Sequence, residues 1–217
     1  MVMPMSVDLR PKIGAAVLLL LAAGLAWHGQ PAPEEKWQFI AAELEPRLTE
    51  RQVQIDPAEM LELMYNDYID LRLIDVRNER DWNLFHLRGA QHIPLDGLLE
   101  YRQRFAKLPE NGVIVFVSND ERDATEAWKL VMANAQRPNA YILAGGLNRW
   151  LGEYAQPRSG AKSVEQAGEE ETLRYPMTWA LGARHPASLP DQHAVQTHEF
   201  TKRVKLQKRV VKKGGCG

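Results

Sequence analysis

The sequence predicts an α/β fold built on a parallel sheet, and three observations lead to that prediction. Short segments rich in apolar residues at 53–55, 71–76, 113–117 and 140–143 are bounded by polar residues, as buried strands are. Between these runs, apolar residues recur at three- and four-residue spacing, which indicates helices. Strands that alternate with helices require right-handed crossovers, so we expect helices on both faces of the sheet.

Composition and hydropathy divide the chain into segments with different characters. Residues 1–29 are an N-terminal membrane anchor or signal segment, and residues 30–51 form an amphipathic linker helix. Residues 52–154 form the α/β domain, and an apolar content of 45% over the 217 residues is sufficient for its core. Residues 155–217 are an acidic linker followed by a basic tail that ends in Gly-Gly-Cys-Gly.

Residues 13–27 contain no charged side chain and predict a transmembrane helix, although a perpendicular span usually needs about 20 residues. One interpretation is an uncleaved anchor with Trp27 and Trp37 at the membrane interface, and it is the one we favour. The other is a cleaved secretory signal, which would remove residues 1–26. The basic flank predicts a bacterial inner-membrane protein with its domain on the periplasmic side, or a secreted periplasmic protein after cleavage.

A helix start is predicted at residues 56–59, because three of these residues favour the first turn of a helix. Asp56 is a suitable N-cap, and Pro57 suits the first helical position. Glu59 is placed to reach back toward the cap, as in a capping box. We therefore expect a helix that begins immediately after the first strand.

The loop that follows residues 113–117 is the first place to look for chemistry. In open α/β sheets, ligands bind at the carboxyl ends of the strands. The helix that begins after the loop offers free N–H groups and the positive end of its dipole to an anion. The candidate residues are Val117, Ser118, Asn119, Asp120, Glu121 and Arg122.

Several motifs around this loop resemble one known family. They are Leu73-Ile74-Asp75-Val76-Arg77, then Glu79 with His86-Leu87-Arg88-Gly89-Ala90 and His92-Ile93-Pro94, and finally Gly145-Gly146-Leu147 with Trp150. Over roughly residues 51–152 the combination resembles the rhodanese (sulfurtransferase) family. That resemblance implies a rhodanese-like fold and a Cys-x-x-x-x-Arg loop whose thiolate carries sulfur as a persulfide. Placing Arg122 on the loop arginine puts Val117 at the position of the cysteine.

This departure argues against sulfurtransferase activity at the loop, because valine has no thiolate to offer. Ser118 leaves the loop one residue short, and no nearby residue is an obvious base for its hydroxyl. Asp120, Glu121 and Asp123 outnumber the single Arg122, so we expect an anionic donor such as thiosulfate to be repelled. The same acids favour a helix start, and we expect neither a cofactor nor a metal there.

Asp75, Arg77 and His86 are the other candidate site residues. The first two lie at the carboxyl end of a predicted strand, beside the loop if the two strands are neighbours. They could line a pocket, but we favour a buried ion pair or backbone clamp, as the resemblance implies. We expect His86 to be a hydrogen-bonded structural residue.

The basic tail is the second unusual feature of the chain. Residues 202–217 carry seven Lys and Arg and no acid, whereas the remainder has 20 basic and 28 acidic residues. The tail could pair with anionic lipid beside the anchor, with the acidic linker, or with nucleic acid, although export argues against nucleic acid. A solvated tail and a strand bound to a partner both remain open. His185, His193 and His198 are spaced too loosely for a known metal motif, so we favour loop histidines over a three-His site completed by Cys216.

Cys216 is the single cysteine, so no intrachain disulfide is possible. Its flexible glycine arm resembles the terminus of sulfur-carrier proteins, and seven nearby cations would lower the pKa of the thiol. We nevertheless favour a cysteine without such a role.

Our first functional hypothesis is a membrane-tethered rhodanese-like pseudoenzyme that acts as an accessory subunit of a membrane complex. Its partners would be the membrane, through residues 13–27, and one or more proteins. The alternative is a sulfur-transfer or persulfide-carrier protein that uses Cys216. A phosphatase related to the same fold is a distant third, because it also needs a loop cysteine.

Overall fold

The computed structural model describes residues 18–20, 24, 31–33, 35–135, 138–155, 171–175, 181–194 and 199–206. Within these ranges, no helix has the length and apolar character needed to cross a bilayer. Most of residues 13–27, on which the anchor prediction depends, lie outside the described ranges.

The centre of the fold is a five-stranded parallel sheet with the order β1-β5-β4-β2-β3. Its strands are β1 (Gln54–Ile55), β2 (Asp70–Asp75), β3 (Gln91–His92), β4 (Gly112–Val117) and β5 (Ala140–Leu143). The predicted α/β class with a parallel sheet is thus confirmed. The short β3 has no apolar run of its own, which is why hydropathy alone did not indicate it.

Helices connect the strands. They are α1 (Lys36–Thr49), α2 (Pro57–Met64), α3 (Glu79–Leu84), α4 (Arg102–Phe105), α5 (Arg122–Asn134) and α6 (Gly146–Tyr154). Short 3-10 helices cover Leu95–Tyr101, Gly182–Arg184 and Pro186–Ser188. The predicted linker helix is therefore α1, and it packs against the domain through α5.

The core is centred on β4, all of whose residues are buried. Two fully buried tryptophans fix helices to their surroundings through their indole N–H groups. Trp128 of α5 donates to the Ala140 carbonyl at 2.9 Å, and Trp150 of α6 donates to the Ala187 carbonyl at 2.7 Å. A buried indole N–H needs a partner, so these bonds remove what would otherwise be an unfavourable desolvation.

Because the strands are parallel, the domain has two distinct ends. The loops that leave β2, β4 and β5 meet at the carboxyl edge of the sheet, and the segments that enter these strands meet at the amino edge. Helix α1 runs from one edge to the other. Near its start, Asn134 Nδ2 donates to the Pro33 carbonyl at 3.1 Å, and beyond its end the Arg51 guanidinium lies 2.7 Å from the Glu121 carboxylate.

The start of α2 agrees with the sequence in one respect and differs in another. Asp56 is the N-cap and accepts a hydrogen bond from Ala58 N–H at 2.9 Å, as predicted. Glu59, which is 3% exposed, does not close a capping box. Its carboxylate instead accepts from the backbone N–H groups of Arg203 and Val204 at 2.9 and 2.8 Å. The capping-box prediction was wrong because the partner is a distant part of the chain.

Candidate binding site at the loop between β4 and α5

Val117 is the last residue of β4, and its side chain is enclosed by the core with 1% exposure. It pairs with Asp75 on the neighbouring strand β2. We expected Asp75 and Arg77 beside the loop only if their strand neighbours β4. The pairing of β2 with β4 meets that condition. A buried isopropyl group in this place packs well but offers no atom that could react with or bind a sulfur species.

Beyond Val117, the loop folds back against the start of α6. Leu147 N–H donates to the Ser118 carbonyl and Asn148 N–H to the Asn119 carbonyl, both at 2.9 Å. Gly146 makes this approach possible. It has φ +59°, and a Cβ there would lie 2.0 Å from the Asp120 carbonyl oxygen. Only glycine tolerates both that conformation and that contact.

Arg77 connects β2 to the loop through a buried network. Its Nη2 lies 2.7 Å from Asp75 Oδ2, and both side chains are 1% exposed. The guanidinium also donates to the Phe85 carbonyl at 2.6 Å and to Asn119 Oδ1 at 3.0 Å. Asn119 Nδ2 in turn donates to Asp81 Oδ2 at 2.6 Å. The buried ion pair that we favoured is present, and it orients the loop through Asn119.

His86 lies on the other side of this network. Its ring stacks on Trp82 with centroids 3.7 Å apart, and its Nδ1 is 2.9 Å from the Trp82 carbonyl oxygen. Gly182 approaches the ring so closely that an added Cβ would lie 3.0 Å from it. These contacts are with α3 and with a C-terminal 3-10 helix, so they suit a packing role.

The site contains one group that the sequence analysis did not anticipate, the carboxylate of Glu171. Its Oε2 accepts from Asn119 N–H at 3.1 Å, and its Oε1 accepts from Arg122 N–H at 2.8 Å and from Ser118 Oγ at 3.2 Å. These donors belong to the loop and to the free first turn of α5, where a helix favours an anion. The loop therefore does hold an anionic group, supplied by the chain itself.

The acids of the loop do not prevent this contact, because their side chains have other partners. Asp120 accepts from Asn148 Nδ2 at 3.0 Å, and Glu121 pairs with Arg51 and accepts from Gly145 N–H at 2.6 Å. Asp123 lies 3.2 Å from the Arg122 guanidinium. Glu121 is the N-cap residue of α5, yet its side chain makes no capping hydrogen bond. Its charge nevertheless lies at the end of the helix where the dipole favours an anion, so Glu121 favours the helix start without capping it.

Glu171 begins a short extended segment, residues 171–175, which we name the strap. Asn148 holds it at two points, since its Nδ2 donates to the Thr172 carbonyl at 2.9 Å and its Oδ1 accepts from Arg174 N–H at 2.6 Å. The Arg174 guanidinium also lies 3.0 Å from Asp120 Oδ2. Leu173 and Tyr175 pack against the core, so the chain returns to the domain at the strap.

The surroundings of Glu171 act on the pKa of its carboxyl group in opposite directions. Burial raises the pKa of its carboxyl, and the neighbouring Asp123 raises it further. Hydrogen bonds from Arg122 N–H and Ser118 Oγ lower it, but they do not outweigh the other two. The donors of the loop therefore hold the carboxylate in place while its surroundings disfavour the charge.

The loosely spaced histidines are not brought together with other ligands where the structure describes them. In the described ranges, no group of three His, Cys, Asp or Glu side chains could hold a metal ion. His185 instead caps a short 3-10 helix, accepting from Ala187 N–H at 3.1 Å. His198 and Cys216 lie outside the described residues, so the prediction for the terminal thiol stays a prediction.

Part of the chain matches a known protein family. Residues 56–153 match the family model described as "Rhodanese-like domain". The rhodanese-like domain of an Anabaena sp. protein is 20% identical, with 55% of this chain and 95% of that chain covered and a TM-score of 0.40. A rhodanese-like domain protein from Staphylococcus aureus is 18% identical, with 45% and 89% covered and a TM-score of 0.38.

A full-length protein from Lactobacillus plantarum is 25% identical, with 51% of this chain and 91% of that chain covered and a TM-score of 0.39. No curated protein matches the chain significantly. The family match makes residues 56–153 a rhodanese-like domain and confirms the sulfurtransferase fold that the motifs predicted.

Proposed function

We propose that the chain is a membrane-tethered rhodanese-like module that acts by binding, as an accessory subunit of a membrane complex, and not by sulfur transfer at the loop. The observation that carries this proposal is Val117. It stands where the resemblance implies a persulfide-forming cysteine, and it is a buried hydrocarbon at the end of β4. Sulfur transfer needs a thiolate at that place.

The contacts of the loop support the same proposal. An anionic sulfur donor would need the N–H groups of Asn119 and Arg122, and Glu171 already accepts from both. Ser118 is 0% exposed, and its hydroxyl oxygen lies 3.1 Å from the Asp120 carbonyl and 3.2 Å from the Glu171 carboxylate, two acceptors for its single proton. The same oxygen accepts from Ala124 N–H at 3.3 Å, so the buried hydroxyl is held between the loop and the first turn of α5 as a structural group.

The tether in this proposal is the apolar segment at residues 13–27, with the domain on the periplasmic side. Helix α1 begins soon after that segment and packs against the domain through Trp37, whose ring meets Trp128 edge-on at 5.9 Å. A domain joined in this way stays close to the bilayer and is suited to contact other membrane proteins.

The second candidate function is a sulfur carrier that uses Cys216. The observation that favours it is the lone thiol among seven cations in the last sixteen residues, 202–217. In that case the rhodanese-like domain would hold the protein in place while the terminus carries the sulfur.

A thiosulfate–cyanide assay on the full chain and on Cys216→Ser separates these functions. We expect neither protein to turn over thiosulfate, and we expect no persulfide on the domain by mass spectrometry. Activity in the wild type that disappears in Cys216→Ser would favour the carrier. Turnover that persists without the terminal thiol would refute the proposed binding role.

Membrane attachment needs a separate measurement. We expect the full chain in the membrane fraction, resistant to carbonate extraction and with the intact mass of an uncleaved protein. Removal of residues 1–29 should release the chain into the soluble fraction. A mass that lacks residues 1–26 would contradict the anchor and support the cleaved signal.

A further inference from the structure

The strap (residues 171–175) lies against the carboxyl edge of the sheet, the edge at which open α/β sheets bind their ligands. Its first residue, Glu171, places a carboxylate on the loop between β4 and α5. That carboxylate accepts from the N–H groups of Asn119 and Arg122 at 3.1 and 2.8 Å. A segment of the chain therefore already occupies this edge as a ligand would, and its contacts show what the edge can hold.

The domain also binds the backbone of the strap, through two asparagine side chains. Asn119 Nδ2 lies 3.2 Å from the Glu171 carbonyl oxygen. Asn148 donates from Nδ2 to the Thr172 carbonyl at 2.9 Å and accepts at Oδ1 from Arg174 N–H at 2.6 Å. Every extended peptide offers such backbone groups, so these contacts supply affinity without regard to the side chains of the segment.

Two charged side chains of the strap supply selectivity. The Glu171 carboxylate meets the first turn of α5, where the helix dipole favours an anion. The Arg174 guanidinium lies 3.0 Å from Asp120 Oδ2. The carboxyl edge is thus complementary to an acid that is followed three residues later by a base. Thr172, between them, is exposed and adds no such restriction.

The groups that bind the strap are held in place from inside the domain. Asn119 is 2% exposed, and its Oδ1 accepts from the buried Arg77 guanidinium at 3.0 Å. The Asn119 carbonyl accepts from Asn148 N–H at 2.9 Å, so the two asparagines are fixed relative to each other. None of these contacts involves the strap. A site that is organised in this way loses little conformational freedom when a ligand binds to it.

We propose that this edge is a receptor for an extended segment of a partner protein, with an acid at its first position and a base at its fourth, and that the strap is an autoinhibitory ligand of the same receptor. The inference rests on the proposed binding function and names the chemistry of the partner. Because the strap belongs to the same chain, it acts at a high effective concentration. A partner must therefore displace it, and weakening the strap contacts opens the receptor.

The test uses the strap sequence itself as the probe, a fluorescein-labelled Glu-Thr-Leu-Arg-Tyr peptide with an amidated end. Its binding to the full chain in detergent is measured by fluorescence anisotropy. Glu171→Ala combined with Arg174→Ala removes the two charges of the strap that contact the domain. Asp70→Ala combined with Arg72→Ala is the matched control, because it also removes one acid and one base, from a surface ion pair at the amino edge.

We expect the peptide to bind the Glu171→Ala, Arg174→Ala chain at least several-fold more tightly than the wild type, and the control chain as weakly as the wild type. Equal affinity for all three chains would overturn the autoinhibitory role of the strap. An absence of binding to the Glu171→Ala, Arg174→Ala chain would overturn the receptor. Unchanged tryptophan fluorescence of the variants confirms that they are folded.

A change in the peptide tests the recognition of the carboxylate without altering the protein. Replacing its first residue by Gln removes the charge and keeps the shape, so affinity for the Glu171→Ala, Arg174→Ala chain should fall several-fold. Equal affinity of the two peptides would overturn the requirement for an acid. Self-association of the wild type that Glu171→Ala abolishes would identify the strap of a second copy as the occupant and would overturn a separate partner.

The outcome is distinguishable from failure of the proposed function. A peptide that does not bind removes this receptor but leaves the thiosulfate–cyanide result unchanged. Sulfur transfer that persists without the terminal thiol would refute the binding role, whatever the peptide does.

Discussion

Two C-terminal segments contact the domain, and each contact joins a glutamate carboxylate to backbone N–H groups. The two contacts differ in which side supplies the glutamate. In the tail segment (residues 199–206), the N–H groups of Arg203 and Val204 donate to Glu59, which belongs to the domain. In the strap, the glutamate is Glu171 of the C-terminal segment itself, and the loop of the domain supplies the N–H donors.

Which side supplies the carboxylate determines which groups of the domain lose their hydrogen-bond partners when a segment dissociates. If the tail segment departs, the Glu59 carboxylate, which is 3% exposed while the segment is in place, loses its two backbone donors. If the strap departs, Glu171 moves into water, and the N–H groups at the start of α5 are left to solvent. The domain therefore loses the donors to its own carboxylate in the first case, and loses an acceptor for its N–H groups in the second.

The largest loss of stability is expected for an ion pair whose two partners both belong to the core of the domain. The Asp75–Arg77 pair is therefore the reference for the two segment contacts. Arg77→Ala leaves Asp75 buried without its cation, so the free energy of unfolding should fall by about 3–5 kcal/mol. Urea denaturation measures this change.

Arg72→Ala is the matched control, because Arg72 lies on the same strand and pairs with Asp70 at the surface, with side-chain exposures of 56% and 31%. Its effect should stay below about 1 kcal/mol. Similar losses for the two variants would show that burial of the pair does not dominate.

The next largest effect is expected from removal of residues 199–217. The truncated chain should lose about 2–3 kcal/mol of stability in urea, because the Glu59 carboxylate no longer accepts from Arg203 and Val204. Removal of residues 207–217 alone keeps those donors and should change stability little.

Glu59→Leu in the chain without residues 199–217 provides the complementary test. An apolar side chain needs no donor, so it should recover part of the lost stability. If the substitution lowers stability further, the loss on truncation arises from packing and not from Glu59.

A smaller and local effect is expected from Glu171→Ala. Unfolding stability should change by less than about 1 kcal/mol, since the donors become hydrated. Hydrogen exchange at the Asn119 and Arg122 amides should become several-fold faster, because the strap no longer covers them. Glu170→Ala, one residue away, is the control for charge and should leave both amides protected. Unchanged exchange in Glu171→Ala would contradict the role of this carboxylate.

The smallest effect is a pH dependence of strap docking. The pKa of Glu171 is raised on docking, mainly by burial. A raised pKa means that its contribution is fully present below the ordinary carboxyl pKa and is lost as the pH rises through the raised value. Protection factors of the Asn119 amide should therefore increase between about pH 7 and about pH 4.

Glu171→Gln removes the titrating group, so its protection factors should not vary over that range. A decrease in protection at low pH in the wild type would show that the N–H donors outweigh burial.

Much of the α/β domain was predictable from the sequence, because its signals are local. The run that became β4 is short, apolar and rich in β-branched residues, and the segments that became β2 and β5 are short and bounded by polar residues. Asp56 and Pro57 likewise act on their own neighbours, so the start of α2 was predictable. The two-residue β3 has no hydrophobic period to detect, so its signal in the sequence is weak.

The site was only half predictable, for a similar reason. The motif residues located the loop and the Asp75–Arg77 pair, but the acids around the loop suggested that an anion would be repelled. What was missing was the position of Glu171, 49 residues beyond Arg122 in sequence. The acidic run at residues 169–171 was visible, but nothing local connects it to a helix start.

By itself, the sequence determined the α/β class, the rhodanese-like motifs, the absence of a thiol at Val117 and the charge asymmetry of the tail. Only the tertiary structure decided which carboxyl group meets which donors: Glu171 in the loop, and Glu59 on the tail segment. The physical reason is the distance along the chain over which each signal acts. Hydrophobic periodicity and helix capping act within one or two turns of chain, whereas a buried carboxylate takes whichever N–H groups the completed fold brings to it.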